Sequence, residues 1–316
     1  MVKRRLQITG AQSFHLSTLF AFVKLTRPVF LAGGVLLYGL GIAIAFAQGV
    51  TINPTLAVVG QLMVTAIQMM AQYANEVFDV DGDLLNARGR TFFSGGSGVL
   101  PGGRITLSTA RNAARACAAV AILLIGLTAL QNPLVGAIAA LALFGGWFYS
   151  APPLSLMESG WGELSASTIV ALLVPLTGYV LQAQRLDPFM LLICLPLVLI
   201  HWAMLVAFEL PDYEADKAVG KRTQTVRLGV RRAVILHTLL ISGALVGIVL
   251  LILSVPTFAR YLWLAIPLLV WQCFSYGVSI KARSDQRRMN LLTLGAVGLF
   301  SLTAALLVAG FVIAVR

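Results

Sequence analysis

The sequence predicts an all-α polytopic membrane protein with nine transmembrane helices around a central cavity. Three observations carry that prediction. The 316 residues are 59% apolar and only 11% charged, with a mean hydropathy of +0.89, whereas a soluble domain of this length exposes far more charge. Apolar runs near the length that crosses hydrocarbon recur along the chain. The cations are segregated between alternate loops, the pattern of a topology signal. A closed β-barrel would instead show short alternating strands.

Taken in order, residues 1–26 form a lead-in. Within it, Phe14–Leu25 mixes apolar residues with His15 and Lys24, and fits either a helix lying on the membrane surface or a plain polar approach. Ala45-Phe46-Ala47 has the look of a leader cleavage site, but the apolar run before it is too long and starts too late. The spans lie near 27–48, 54–78, 106–130, 132–150, 163–183, 187–208, 232–253, 256–280 and 289–314. The N-terminal segment and the loops after spans two, six and eight, with their flanking turns, hold 20 of the 23 Lys and Arg. Only Arg185, Arg260 and Arg316 fall on the other side. The positive-inside rule therefore places the N-terminus and these loops in the cytoplasm and the C-terminus outside, in an integral protein of the bacterial inner membrane. The net charge of +11 then describes one face turned to anionic headgroups. It does not describe a nucleic-acid site, because the basic residues are spread over membrane loops.

The whole of 1–316 reads as a single membrane domain with a weak internal repeat. Span two ends in Asn75-Glu76-Val77-Phe78-Asp79-Val80-Asp81-Gly82-Asp83, and span six ends in Glu209-Leu210-Pro211-Asp212-Tyr213-Glu214-Ala215-Asp216. Four spans separate these clusters, so both reach the same side, as expected of two similar halves, about 27–150 and 163–314. The two clusters hold eight of the twelve acids. Carboxylates beside hydrocarbon are costly, and their default reading is a functional site.

Asn75, Asp79 and Asp83 stand at i, i+4 and i+8, one face of a continuous helix; Asp81 points elsewhere. Asp212 and Asp216 repeat the i, i+4 spacing, and Pro211 suits the start of a new helical segment with Asp212 in its first turn. Two such groups facing one cavity make a divalent-cation site, and Mg²⁺ bound by one or two carboxylates completes its shell with water and phosphate oxygens. Lys217, Lys221, Arg222 and Arg227 follow the second cluster, so metal-binding acids and phosphate-pairing cations adjoin. Ser94-Gly95-Gly96-Ser97-Gly98 follows the first cluster; it fits an anion-binding nest or a mobile connector, and lacks the lysine of a P-loop.

Cys117, Cys194 and Cys273 are isolated within spans and suggest neither zinc nor a disulfide framework. His15, His201 and His237 are equally scattered and read as packing residues.

These residues resemble the UbiA superfamily of intramembrane prenyltransferases. The likeness rests on the two aspartate patterns and on Gly220-Lys221-Arg222-Thr223 leading to Arg227-Leu228-Gly229. Leu25-Thr26-Arg27-Pro28 and Tyr149-Ser150-Ala151-Pro152-Pro153 also fit. It covers nearly the whole chain. The resemblance implies Mg²⁺ held by Asp79, Asp83, Asp212 and Asp216, with Asn75 orienting them, and an isoprenyl diphosphate bound there. Lys221, Arg222, Arg88 and Arg90 are the candidate diphosphate contacts, and Tyr149 a candidate contact of the cation or the acceptor. The Gly-Gly-Ser-Gly-Val-Leu stretch is most similar to the branch that prenylates 1,4-dihydroxy-2-naphthoate in menaquinone biosynthesis, an aromatic acceptor.

Four residues depart from what relatives often carry. Glu209 and Pro211 stand where relatives often carry Asn and Arg, and Met157 and Glu158 stand where many carry a lysine or arginine. The acceptor expected from the resemblance is 1,4-dihydroxy-2-naphthoate, and these departures keep another acceptor within the same chemistry as the alternative. An ion-coupled transporter is the rival from another class, since intramembrane acids and similar halves also suit alternating access.

Overall fold

The computed structural model describes residues 16–86 and 89–314. Ala87 and Arg88, the first fifteen residues and the last two lie outside them. All the described regular structure is helical. Among the described residues, eight helices are long and apolar enough to cross a membrane: α2 (Pro28–Ala47), α3 (Pro54–Phe78), α5 (Leu107–Gln131), α8 (Gly162–Ala183), α9 (Phe189–Ala218), α11 (Val230–Ser254), α12 (Pro256–Ser279) and α13 (Gln286–Ile313). The fourth expected span is α6 (Pro133–Phe148), apolar but shorter. Short helices α1 (Leu16–Leu25), α4 (Val80–Leu85), α7 (Leu156–Ser159) and α10 (Gln224–Leu228) complete the chain.

Local chemistry sets the boundaries. Prolines open α2, α3, α6 and α12, where a missing N–H costs nothing. The side chains of Asn53, Thr106, Asn132 and Asp285 accept hydrogen bonds from first-turn N–H groups. In α8 the ladder widens into a π-turn over Ile169–Leu173, just ahead of Pro175, whose ring nitrogen cannot donate. Helix α9 runs unbroken through Pro196 and Pro211. Pro211 therefore does not start a new segment, and Asp212 and Asp216 sit in the last turns of a long helix.

The first acidic segment also departs from a single helix. Helix α3 stops at Phe78, Asp79 caps it with φ −98°, and the chain restarts as α4. Asp83 thus leaves the face shared by Asn75 and Asp79. Helix α1 covers part of the predicted surface segment. Its Ala21 and Leu25 pack in a small core with Tyr73, Val77 and Leu100, while Phe20 faces outward.

Helices α2, α3, α6, α8, α9 and α13 surround one cavity of about 350 Å³, and α5, α11 and α12 pack outside this ring. Helices α2 and α8 touch closely because Gly41 lies against the Pro175 carbonyl and Gly178 against that of Tyr38, the small-residue contact by which membrane helices gain van der Waals packing.

Candidate active site

The cavity opens among the two acidic segments and runs between the helices along Leu37, Val64, Ile67, Val174 and Val297. Its polar end is a network tied across three segments. The Lys221 ammonium pairs with Asp79 Oδ1 and lies 3.3 Å from Asp216 Oδ1. Burial works against the lysine's charge, but the two carboxylates outweigh it and hold its pKa above the usual range. Burial likewise raises the Asp79 carboxyl, against the pull of Lys221.

Asp212 is gripped by the glycine-rich loop. Its Oδ1 accepts from the Ser94 hydroxyl at 3.2 Å and from the Asn86 amide, and its Oδ2 accepts from the Gly95 N–H at 3.1 Å. The loop is held from the other side by Glu76, which accepts from the Ser97 N–H at 2.7 Å, the Ser97 hydroxyl at 2.6 Å and the Arg27 guanidinium at 2.6 Å. Gly96, at φ +72°, packs on the Asp83 carboxylate so tightly that a Cβ there has no room. The loop is therefore a fixed wall that joins the two acidic segments. Phe93 extends this wall, stacked on Phe208 with ring centres 6.3 Å apart and 7° between planes, while Phe30 meets Phe93 edge-on at 6.1 Å.

Of the residues singled out from the sequence, Asn75, Asp79, Tyr149, Asp212, Asp216 and Lys221 line this one cavity. Asn75 donates its amide to Ser150 Oγ at 3.2 Å. Asp83 lies behind the loop, 4% exposed. Arg90 is a strut of the loop, with Nε donating to the Gly95 carbonyl at 2.6 Å and Nη2 to that of Asp83 at 3.3 Å. Arg222 is exposed, and its backbone N–H donates to the Glu158 carbonyl at 3.0 Å. Arg88 lies outside the described residues.

The cavity is also lined by Arg27, by Ser94 and Gly95 of the glycine-rich stretch, and by two residues that the sequence analysis assigned to no site, Glu163 and His201, the latter read there as a packing residue. Glu163 carried a usable signal, since an acid inside an apolar run invites the same functional reading as the two clusters.

Among the described residues, no three His, Cys, Asp or Glu groups stand close enough together to form a ready metal cluster. The donors around the cavity are nevertheless the hard oxygens that Mg²⁺ prefers: the Asp79, Asp212 and Asp216 carboxylates and the Asn75 amide. The single positive charge of Lys221 lies between two of them.

A ring of transmembrane helices with paired aspartate segments at the mouth of one cavity is the arrangement that the resemblance to the intramembrane prenyltransferase class implies. Residues 34–300 match the model of the UbiA prenyltransferase family, and the chain belongs to that family. It is 26% identical over 119 residues to the 1,4-dihydroxy-2-naphthoate octaprenyltransferase of Bacillus subtilis strain 168; this match spans 38% of the chain and 37% of that relative. The structure of a UbiA homologue from Archaeoglobus fulgidus bound to DMAPP and Mg²⁺ superposes with a TM-score of 0.66 at 21% identity, covering 93% of this chain and 98% of that one. The same homologue bound to GPP and Mg²⁺ gives 0.64 at 19% identity, over 93% and 99%.

Proposed function

We propose that the protein transfers an isoprenyl group from an isoprenyl diphosphate to a hydroxylated aromatic ring, with Mg²⁺ at the aspartate segments. The observation that carries this reading is the convergence of Asp79, Asp212, Asp216 and Lys221 on one cavity that runs on between the helices past apolar side chains such as Leu37, Val64, Ile67 and Val174. The aspartates and Asn75 hold the metal and its diphosphate, with Asp83 acting from behind the glycine-rich loop. The two halves of the chain contribute one aspartate segment each, and the site faces the cytoplasm.

When bound, Mg²⁺ neutralises charge that builds on the departing diphosphate. Lys221 sits where it can move from its carboxylate partners to a phosphate oxygen, a charge placed for the transition state. The allylic C–O bond breaks, pyrophosphate leaves with the bonding electron pair, and a ring carbon of the acceptor forms the new C–C bond and gives up its proton. Phe30, Phe93, Phe208 and the apolar wall keep water from the allylic cation. The gap between helices suits a lipid-soluble tail.

The reference acceptor is 1,4-dihydroxy-2-naphthoate, after the name of the Bacillus relative, which would place the enzyme in menaquinone biosynthesis. Purified protein with geranylgeranyl diphosphate, Mg²⁺ and this ring should release pyrophosphate, and release should stop without metal. Asp212→Ala should abolish turnover while the protein stays folded and inserted. Full activity in that variant would exclude the assignment.

A further inference from the structure

One wall of the cavity is chemically unlike the metal-facing end. Glu163, from the first turn of α8, and Glu209, one turn before Asp212 on α9, are brought to neighbouring positions, each accepting from one of two consecutive backbone N–H groups. They are 4% and 9% exposed, and both line the cavity. They are held from behind by consecutive backbone donors at the start of α10. Gln224 N–H donates to Glu163 Oε1 at 3.0 Å, and Thr225 N–H to Glu209 Oε2 at 2.7 Å. Glu163 Oε2 is buried and, among the described residues, has no hydrogen-bond partner. Among the described residues neither glutamate has a cation: the cavity's Arg27 is paired with Glu76, and Lys221 with Asp79 and Asp216.

His201 adds a further acceptor to the cavity lining. The Ser167 hydroxyl donates its one proton to the Glu163 backbone carbonyl at 2.6 Å, so its oxygen receives the His201 Nδ1–H at 3.0 Å. That leaves Nε2 of the neutral ring as a lone-pair acceptor.

We propose that Glu163, Glu209 and His201 form the acceptor-binding wall, and that they select an uncharged ring with two hydroxyl donors over the same ring bearing a carboxylate. The inference rests on the prenyl-transfer reading and names its acceptor class. A buried carboxylate oxygen without a partner, Glu163 Oε2, and the His201 Nε2 lone pair need O–H or N–H donors from the ligand. A carboxylate beside them is desolvated against like charge with nothing to pair it. A polar site discriminates most strongly when the wrong ligand leaves buried groups unsatisfied.

The test compares 1,4-dihydroxynaphthalene with 1,4-dihydroxy-2-naphthoate, anaerobically, on the full-length protein in detergent with Mg²⁺ present. Binding is read by the fluorescence of each ring, and turnover by prenylated product from geranylgeranyl diphosphate. The wild type should favour the uncharged diol by about tenfold or more in both readouts, a factor that one well-placed polar contact supplies. Glu163→Gln keeps the size and the bond to Gln224, and should bring the ratio toward unity without moving the Mg²⁺ half-saturation or the donor KM; Glu209→Gln should do the same. Equal or reversed preference in the wild type overturns the proposal. So does an unchanged ratio in both variants, or a shifted Mg²⁺ half-saturation, which would make Glu209 a metal ligand. If neither ring is prenylated, the prenyl-transfer reading fails, while the binding ratio still decides the wall.

Discussion

Glu76 and Ser97 are locked together twice, through the serine's backbone N–H and through its hydroxyl, and this double bond fastens the glycine-rich loop to the end of α3. Hydrogen bonds to a charged group contribute about 2 kcal/mol each. Ser97→Ala should therefore lower thermal stability by about that amount and raise the donor KM as the loop loosens over Asp212. Melting curves and donor titrations check both effects; an unchanged KM would show that the loop does not shape the donor site.

Lys221 holds two carboxylates that would otherwise repel. Lys221→Met leaves Asp79 and Asp216 facing each other without a counter-charge, and breaking a buried pair in this way costs about 3 kcal/mol or more. The metal-free variant should melt well below the wild type, and Mg²⁺ should restore more stability to it than to the wild type. Catalysis should stay impaired even when Mg²⁺ restores the fold, because the diphosphate loses a contact. Equal Mg²⁺ stabilisation of the two proteins would argue against a shared metal and lysine position.

Gly96 combines a positive φ with a close approach to Asp83. Gly96→Ala should cost about 1–3 kcal/mol in backbone strain alone and push the loop off the Asp83 carboxylate. Differential scanning calorimetry together with pyrophosphate release is the measurement. A variant with wild-type stability and rate would mean that the loop yields at no cost.

Asp83 gives a pH dependence of defined sign. Burial first, then the Asp79 and Glu76 carboxylates, hold its pKa up at about 7. A carboxyl raised above its unfolded value of about 4 contributes its full stability below that value and loses it as pH rises through about 7. Metal-free protein should thus melt at falling temperature between about pH 4 and pH 7, and Asp83→Asn should flatten that slope. A level profile in the wild type would contradict the burial of this group.

The division between what is legible in the chain and what is not follows from the kind of energy involved. The transmembrane architecture, the cost of Glu76, Asp79, Asp212 and Asp216 beside hydrocarbon, and the arrival of both acidic segments on one side are all properties of residues in order. Transfer free energy and span length are local. The same locality puts Asn75, Asp79 and Asp83 on one face of an ideal helix, and Asp212 and Asp216 on another.

Only the tertiary structure decided that α3 stops before Asp79, turning Asp83 behind the loop, and that α9 carries Pro211 within it. It also decided that Arg90 braces a loop, that Lys221 is the standing counter-charge of two aspartates, and that Glu209 meets Glu163 from another helix. Each of these is a contact between segments far apart in sequence. Such pairings are set by how helices pack and which polar groups that packing leaves to satisfy one another, and spacing along a single helix does not encode them.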